Sequence, residues 1–199
     1  MNFDLIPALM LFALVSSITP GPNNLMLMSS GANFGFRRTL PHMIGVSVGF
    51  LVMLVLVGIG VMQLFDIIPY SFEVLRVACL LYLCYLAYRI ATSSHVVREQ
   101  QSSQAKPFSF VQAVLFQWVN PKAWTMALSA ISVYAPSRDV AAVVIVGVVF
   151  VLVNLPCIGS WTIAGQKLSV WLHSAARLRI FNMIMATLLV CSVLPSLLS

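Results

Sequence analysis

The sequence predicts an all-α, polytopic membrane protein: six transmembrane helices forming two inverted three-helix repeats, with helices 1 and 4 broken inside the membrane. Three observations carry this expectation. Of 199 residues, 60% are hydrophobic and only 8% are charged, with a mean hydropathy of +0.98, whereas a soluble domain carries about 25% charged residues to coat its surface. Six apolar runs approach the roughly 20 residues that a hydrocarbon core of about 30 Å requires of a helix. Two of those runs contain proline where an unbroken helix tolerates it poorly. The composition excludes most soluble enzymes and nucleic-acid modules, although 11 Lys and Arg against 5 Asp and Glu leave a net charge of +6.

The first run extends from Ile6 to Ser30. It lacks a basic leading segment and a small-residue cleavage site, so it reads as a retained helix and not a signal peptide. The second runs from Leu40 to Phe65 and the third from Phe72 to Ile90, the third carrying Glu73 and Arg76 in its first turn. Phe108 to Val133, Val140 to Gln166 and Ile180 to Leu198 complete the set. Between the third and fourth runs lies the one long polar stretch, Thr92 to Lys106, which has too few apolar side chains to pack and reads as a cytoplasmic linker. The chain is thus one transmembrane domain, with a first repeat over 1–91 and a second over 107–199.

Charge sets the orientation. The links after spans one, three and five hold Arg37, Arg38, Arg89, Arg98, Lys106, Lys167, Arg177 and Arg179, while the opposite links hold only Arg76 and Arg138. Positively charged loops stay in the cytoplasm, which puts both termini on the outer side of the membrane. The basic balance is therefore topological, and no nucleic-acid partner is expected.

Sliding the sequence on itself by about 100 residues brings Pro20 against Pro121 and Arg76 against Arg177, with Gly45 one residue short of Gly147. Side-chain identity beyond these is poor. An odd number of spans in each half makes the halves enter from opposite faces, the inverted-repeat plan of many secondary transporters.

The chemistry concentrates at the two prolines. Span one reads Ser16-Ser17-Ile18-Thr19-Pro20-Gly21-Pro22-Asn23-Asn24, and span four reads Gln117-Trp118-Val119-Asn120-Pro121-Lys122. Proline removes an amide donor and clashes with the preceding turn. Backbone groups released in hydrocarbon are tolerated only against protein or a water-filled cavity. Each break lies roughly 20 Å from its own entry face at 1.5 Å per residue, so the two approach the midplane from opposite sides. Such a junction offers the amides of Asn23, Asn24, Asn120 and Gln117, open backbone dipoles, and the Lys122 ammonium. That set suits a small zwitterion, its carboxylate at helix amino ends and lysine, its ammonium at carbonyl ends. The plainer alternative is a kink satisfied by Ser16, Ser17 and Thr19, with Lys122 snorkelling along its stem. Against it stands the cost of a central lysine, at least about 2.5–3.5 kcal/mol.

Pro20-Gly21-Pro22-Asn23, then Gly35-Phe36-Arg37, Gly45 with Gly49, and Asn120-Pro121-Lys122 together resemble the LysE/RhtB family of bacterial amino-acid exporters over essentially the whole chain. The resemblance implies a six-helix inner-membrane carrier that expels amino acids or their derivatives, driven by the proton gradient, and neither an enzyme nor a cofactor protein. Gly45 to Leu51 and Ala105 to Phe110 are most similar to members that export cysteine and O-acetylserine. Homoserine, threonine or another neutral amino acid is the alternative cargo. Phe50 stands where exporters of basic amino acids tend to carry an acid, which disfavours a cationic substrate. Ala78 and Cys79 precede Tyr82 and Leu83 where the family usually has a glycine, so no site residue is carried over from span three.

The remaining constellations are weaker. Gly45 and Gly49 form a small-xxx-small face suited to close helix packing. Ser47 lies about 200° from Gly45 around the helix and reads with Asn154 as a cavity residue, the latter in another local break at Asn154-Leu155-Pro156-Cys157. Arg37 is a gate, a lipid anchor or simply a solvated loop charge, with the last the default. Asp4, Asp66, Glu73, Glu99 and Asp139 fall at loops or span ends, which leaves the proton carrier unidentified. His42, at an interfacial position in span two, titrates in a suitable range but needs no functional role there. The cysteines Cys79, Cys84, Cys157 and Cys191 lie inside spans without a C-x-x-C pair and read as buried free thiols, which weakens the competing idea of a membrane thiol-disulfide electron carrier. No metal-ligand spacing or phosphate loop is present. Expected partners are an amino-acid substrate and membrane lipid; a homodimer stays open.

Overall fold

The computed structural model describes residues 5–60, 70–92, 106–135, 139–172 and 174–192. Among these the fold is all-helical. The linker expected between the repeats lies outside the described residues except at its edges, as do Asp4, Asp66, Glu99, Arg98 and Arg138.

The first predicted span is two helices. α1 (Ile6–Ile18) stops where Thr19 turns extended ahead of Pro20, and Gly21 is extended as well. Pro22 then opens α2 (Pro22–Phe34), whose first position needs no amide donor. The two axes differ by 56°. α2 ends at Gly35, whose φ of 79° lies in the region that only glycine enters freely. α3 (Phe36–Gly58) starts at once. It therefore begins four residues before the expected boundary, and Arg37 and Arg38 occupy its first turn instead of a loop. The glycine completes the reversal by itself. α4 covers Ser71–Ala91.

The fourth predicted span is also interrupted. α5 (Phe110–Phe116) starts at a capping box between Ser109 and Gln112 and tightens into a single 3₁₀ turn, Gln117–Val119. Asn120 is extended, its side chain accepts from the Lys122 amide, and Pro121 opens α6 (Pro121–Tyr134). α7 (Val140–Ser169) is capped by Asp139, and α8 (Ala175–Cys191) by Ser174.

One expected break is absent: α7 runs unbroken through Pro156 for 30 residues. A lone proline deletes one rung of the hydrogen-bond ladder, which strong apolar turns on both sides survive, whereas Pro20-Gly21-Pro22 deletes two donors around the most flexible residue. Among the described residues, α3 and α7 are each long and apolar enough to cross a membrane, and the bent α1–α2 pair counts as a third only if the two helices form one span.

α7 is the central post. A Cβ on Gly31 would lie 2.1 Å from the Thr162 carbonyl oxygen, and one on Gly165 only 2.0 Å from that of Met28, so α2 and α7 meet backbone to backbone. Gly45 and Gly49 do the same for α3 against Phe110 and Val114 of α5, the packing role their spacing suggests. Apolar side chains of α1, α3, α6 and α7 form one core, including Phe50, Phe150 and Trp124. Those of α2, α4, α5 and α8 form another, including Met26, Leu86, Phe116 and Phe181. Leu11, Leu81 and Leu152 point outward with more than 60% of their surface exposed, as lipid-facing side chains do.

Candidate functional site

The two helix breaks meet. Asn23, Asn24 and Gly21 from the first break and Asn120 and Lys122 from the second line one cavity, closed by Ser16, Ser17 and Asn154 and by the apolar Val46, Phe50, Ala123 and Met126. It offers about 30 Å³ to the centres of water-sized spheres. One water takes roughly 10–15 Å³ on that measure, so the cavity has room for water but not for an amino acid in this conformation.

Most polar groups here serve the break itself. Helix ends leave carbonyls without intrahelical partners, and at the end of α1 other parts of the chain supply them. Lys122 Nζ donates to the Thr19 carbonyl at 2.7 Å, to Thr19 Oγ1 at 2.9 Å and to the Pro20 carbonyl at 3.4 Å. Asn24 Nδ2 donates to the carbonyls of Ser17 and Thr19, both at 2.8 Å. Trp161 Nε1 of α7 reaches the Ile18 carbonyl at 3.1 Å. A cation at a helix carboxyl end is also favoured by the helix dipole. The amino ends of α2 and α6 point the opposite partial charge toward the same region.

Asn23 and Gln117 form a reciprocal amide pair across the two breaks. Asn23 Nδ2 donates to Gln117 Oε1 at 2.8 Å, and Gln117 Nε2 donates back to Asn23 Oδ1 at 3.3 Å and to the Ala113 carbonyl at 2.9 Å. Gln117 is fully buried. Asn154 Nδ2 donates to Ser47 Oγ at 3.4 Å, so Ser47 stands one contact behind the cavity wall. The hydroxyl of Ser17 is buried without a partner at the cavity.

Pro20, Pro22 and Pro121 shape the breaks, while Arg37 stands exposed at the start of α3, away from the cavity lining. Its neighbour Arg38 lies 5.7 Å from the Phe34 ring centre. Thr19 and Trp161 carry no sequence signal beyond a hydroxyl beside a proline and an indole in an apolar run. His42 is packed inside the protein, 1% exposed, with the tilted Phe108 ring centred 5.2 Å away and both ring nitrogens unpartnered. Six residues of helix precede it, enough to carry it into the packed region. Of the cysteines whose side chains are described, Cys157 is buried as expected, but Cys84 and Cys191 are exposed, on the outer faces of α4 and α8. All three are unpaired. Among the described residues no three metal-ligating side chains cluster.

The chain matches the family model described as LysE type translocator over residues 14–192. It is 34% identical over 197 residues to the cysteine/O-acetylserine efflux proteins of Escherichia coli K12 and Shigella sonnei, covering 97% of this chain and 98% of each relative. The protein of the same description from Shigella flexneri is 34% identical over 193 residues. No solved structure matches. A match spanning both interrupted helices and nearly the full length of chain and relatives leaves one assignment: the chain belongs to the LysE type translocators, a family of transporters and not of enzymes.

Proposed function

We propose that this protein exports a small neutral amino acid or close derivative, cysteine or O-acetylserine before homoserine or threonine, from the cytoplasm in exchange for protons. In this reading it sits in the bacterial inner membrane with both termini periplasmic, six spans forming two inverted halves around the cavity. The observation that carries the proposal is the Lys122 ammonium bridging 103 residues to the open end of α1 beside a polar, occludable cavity. The relatives described as cysteine/O-acetylserine efflux proteins supply the substrate class.

The cavity chemistry supports a zwitterion with an uncharged side chain. Its lining includes no carboxylate, so nothing there neutralises a cationic side chain, and Phe50 and Met126 offer an apolar wall. An arriving carboxylate exchanges with the α1 carbonyls for Lys122 and the amino ends of α2 and α6; the freed carbonyls and Asn24 then accept the substrate ammonium. Asn23, Asn120 and Gln117 fix its orientation. Because the cavity is too small for an amino acid as it stands, loading requires the halves to part, and alternating access follows from opening on one side at a time.

The test is counterflow of labelled O-acetylserine and cysteine in proteoliposomes, with and without an imposed pH gradient. Saturable exchange accelerated by the gradient is expected. Exchange indifferent to the gradient refutes proton coupling, and no exchange of either compound refutes the substrate assignment.

A further inference from the structure

A second cavity, of about 120 Å³ on the same measure, lies between α2, α3, α4 and the start of α5. Its wall includes Ser29, Ser30 and Asn33 of α2, His42, Arg89 at the end of α4, and Lys106. The lining contains one arginine, one lysine and no carboxylate. Arg89 and Lys106 are exposed and stand at the mouth, whereas His42 is 99% buried and keeps both ring nitrogens without a protein partner. A buried imidazole in that state has lost its water bonds and gained none, which costs free energy unless something else visits the site.

The cavity is aligned with the first. Along α2, Asn23 borders the central cavity, and Met26, Ser30 and Asn33 follow at helical spacing along the second. Along the other strand of the route, Phe108 and Gln112 border the second cavity and Asn120 and Lys122 the first, with Gln117 between. Along both chain segments the Asn23–Gln117 pair falls between the residues lining the second cavity and the rest of those lining the first.

We propose that this second cavity is a one-sided receiving site for the carboxylate of the transported solute, held by Arg89, Lys106 and the His42 imidazole until the Asn23–Gln117 pair parts. The inference rests on the export reading and adds to it a separate place where the cargo waits. Cations at the mouth draw the anion in, and the unpartnered imidazole supplies a donor at the inner end. An anionic lipid headgroup shares this chemistry, so lipid composition is varied in the test.

The experiment follows the His42 ring by nitrogen-15 NMR in full-length protein in phosphatidylcholine nanodiscs, assigned with His42→Asn, while O-acetylserine or its carboxamide is added. Expected is a saturable shift with the acid and none with the carboxamide. Arg89→Gln or Lys106→Gln should weaken the apparent affinity roughly tenfold or more, the size of one lost charge-assisted bond, and Lys122→Met should leave the response in place. An unresponsive His42, an equal response to the carboxamide, or a response lost in Lys122→Met but kept in both mouth variants overturns the proposal. So does a shift produced by phosphatidylglycerol alone. Counterflow on the same preparation separates the two readings: efflux without a His42 response removes only the receiving site, whereas a His42 response without efflux removes the export reading and, with it, the cavity's role as a receiving site, leaving carboxylate binding alone.

Discussion

Lys122 Nζ lies 2.7 Å from the carbonyl oxygen of Thr19, 103 residues away, so the ammonium of one broken helix caps the open end of the other. An ammonium has three donors, and all three find oxygens of Thr19 and Pro20. The same contact serves structure and, in the proposed cycle, exchange with substrate.

Replacing Lys122 with methionine keeps the stem and deletes the charge. Counterflow should fall to background while insertion and expression stay near normal, because the half-buried stem still packs. Lys122→Arg should retain a small fraction of the rate, since a planar fork cannot reproduce three bonds converging on two residues. Unimpaired transport by the methionine variant would refute the role of the charge.

Both breaks were legible in the sequence because proline and glycine act on the backbone locally, whatever surrounds them. What holds the breaks was not. The pairing of Asn23 with Gln117 and of Trp161 with Ile18 depends on how helices far apart in sequence approach, and that is set by the glycines Gly31 and Gly165, whose contacts are invisible until α2 and α7 are placed. The same limit hid His42, since its titration range is a property of the residue and its unpartnered burial a property of the fold. Pro156 errs the other way: a local signal that α7 overrides.

The amide pair at Asn23 and Gln117 should behave as a coupled unit. Asn23→Leu leaves the buried Gln117 amide half satisfied and should cost about 1–3 kcal/mol, as should Gln117→Leu. The double variant should lose clearly less than the sum, because no orphaned partner remains. Thermal unfolding of the purified variants in one detergent gives the cycle; additive losses would show that the pair does not act as a unit.

Glycine contacts in α7 predict a sharp contrast within one helix. A methyl on Gly165 would lie 2.0 Å from the Met28 carbonyl oxygen, whereas one on Gly159 meets only Met43 Cε at 3.6 Å. Gly165→Ala should push α2 off α7 and destabilise by about 1–3 kcal/mol or more. Gly159→Ala should be neutral or slightly stabilising, given the helix propensity of alanine. The comparison needs only the two melting temperatures, and equal values would refute the close crossing.

Cargo selectivity should turn on Phe50, which is 4% exposed and forms part of the cavity wall. Phe50→Glu places a carboxylate where the lining has none, next to a cavity whose only lysine is engaged with the α1 carbonyls. Loss of the ring and a poorly solvated charge together should cut O-acetylserine counterflow at least tenfold, an effect of about 1.4 kcal/mol or more. A cationic side chain would now find a partner, so inhibition of the residual flux by lysine or ornithine should appear where the native protein shows none. Phe50→Leu controls for volume: it should keep most O-acetylserine flux and acquire no sensitivity to lysine. If the glutamate variant instead transports O-acetylserine normally, Phe50 does not face the cargo, and the neutral-substrate argument loses its structural support.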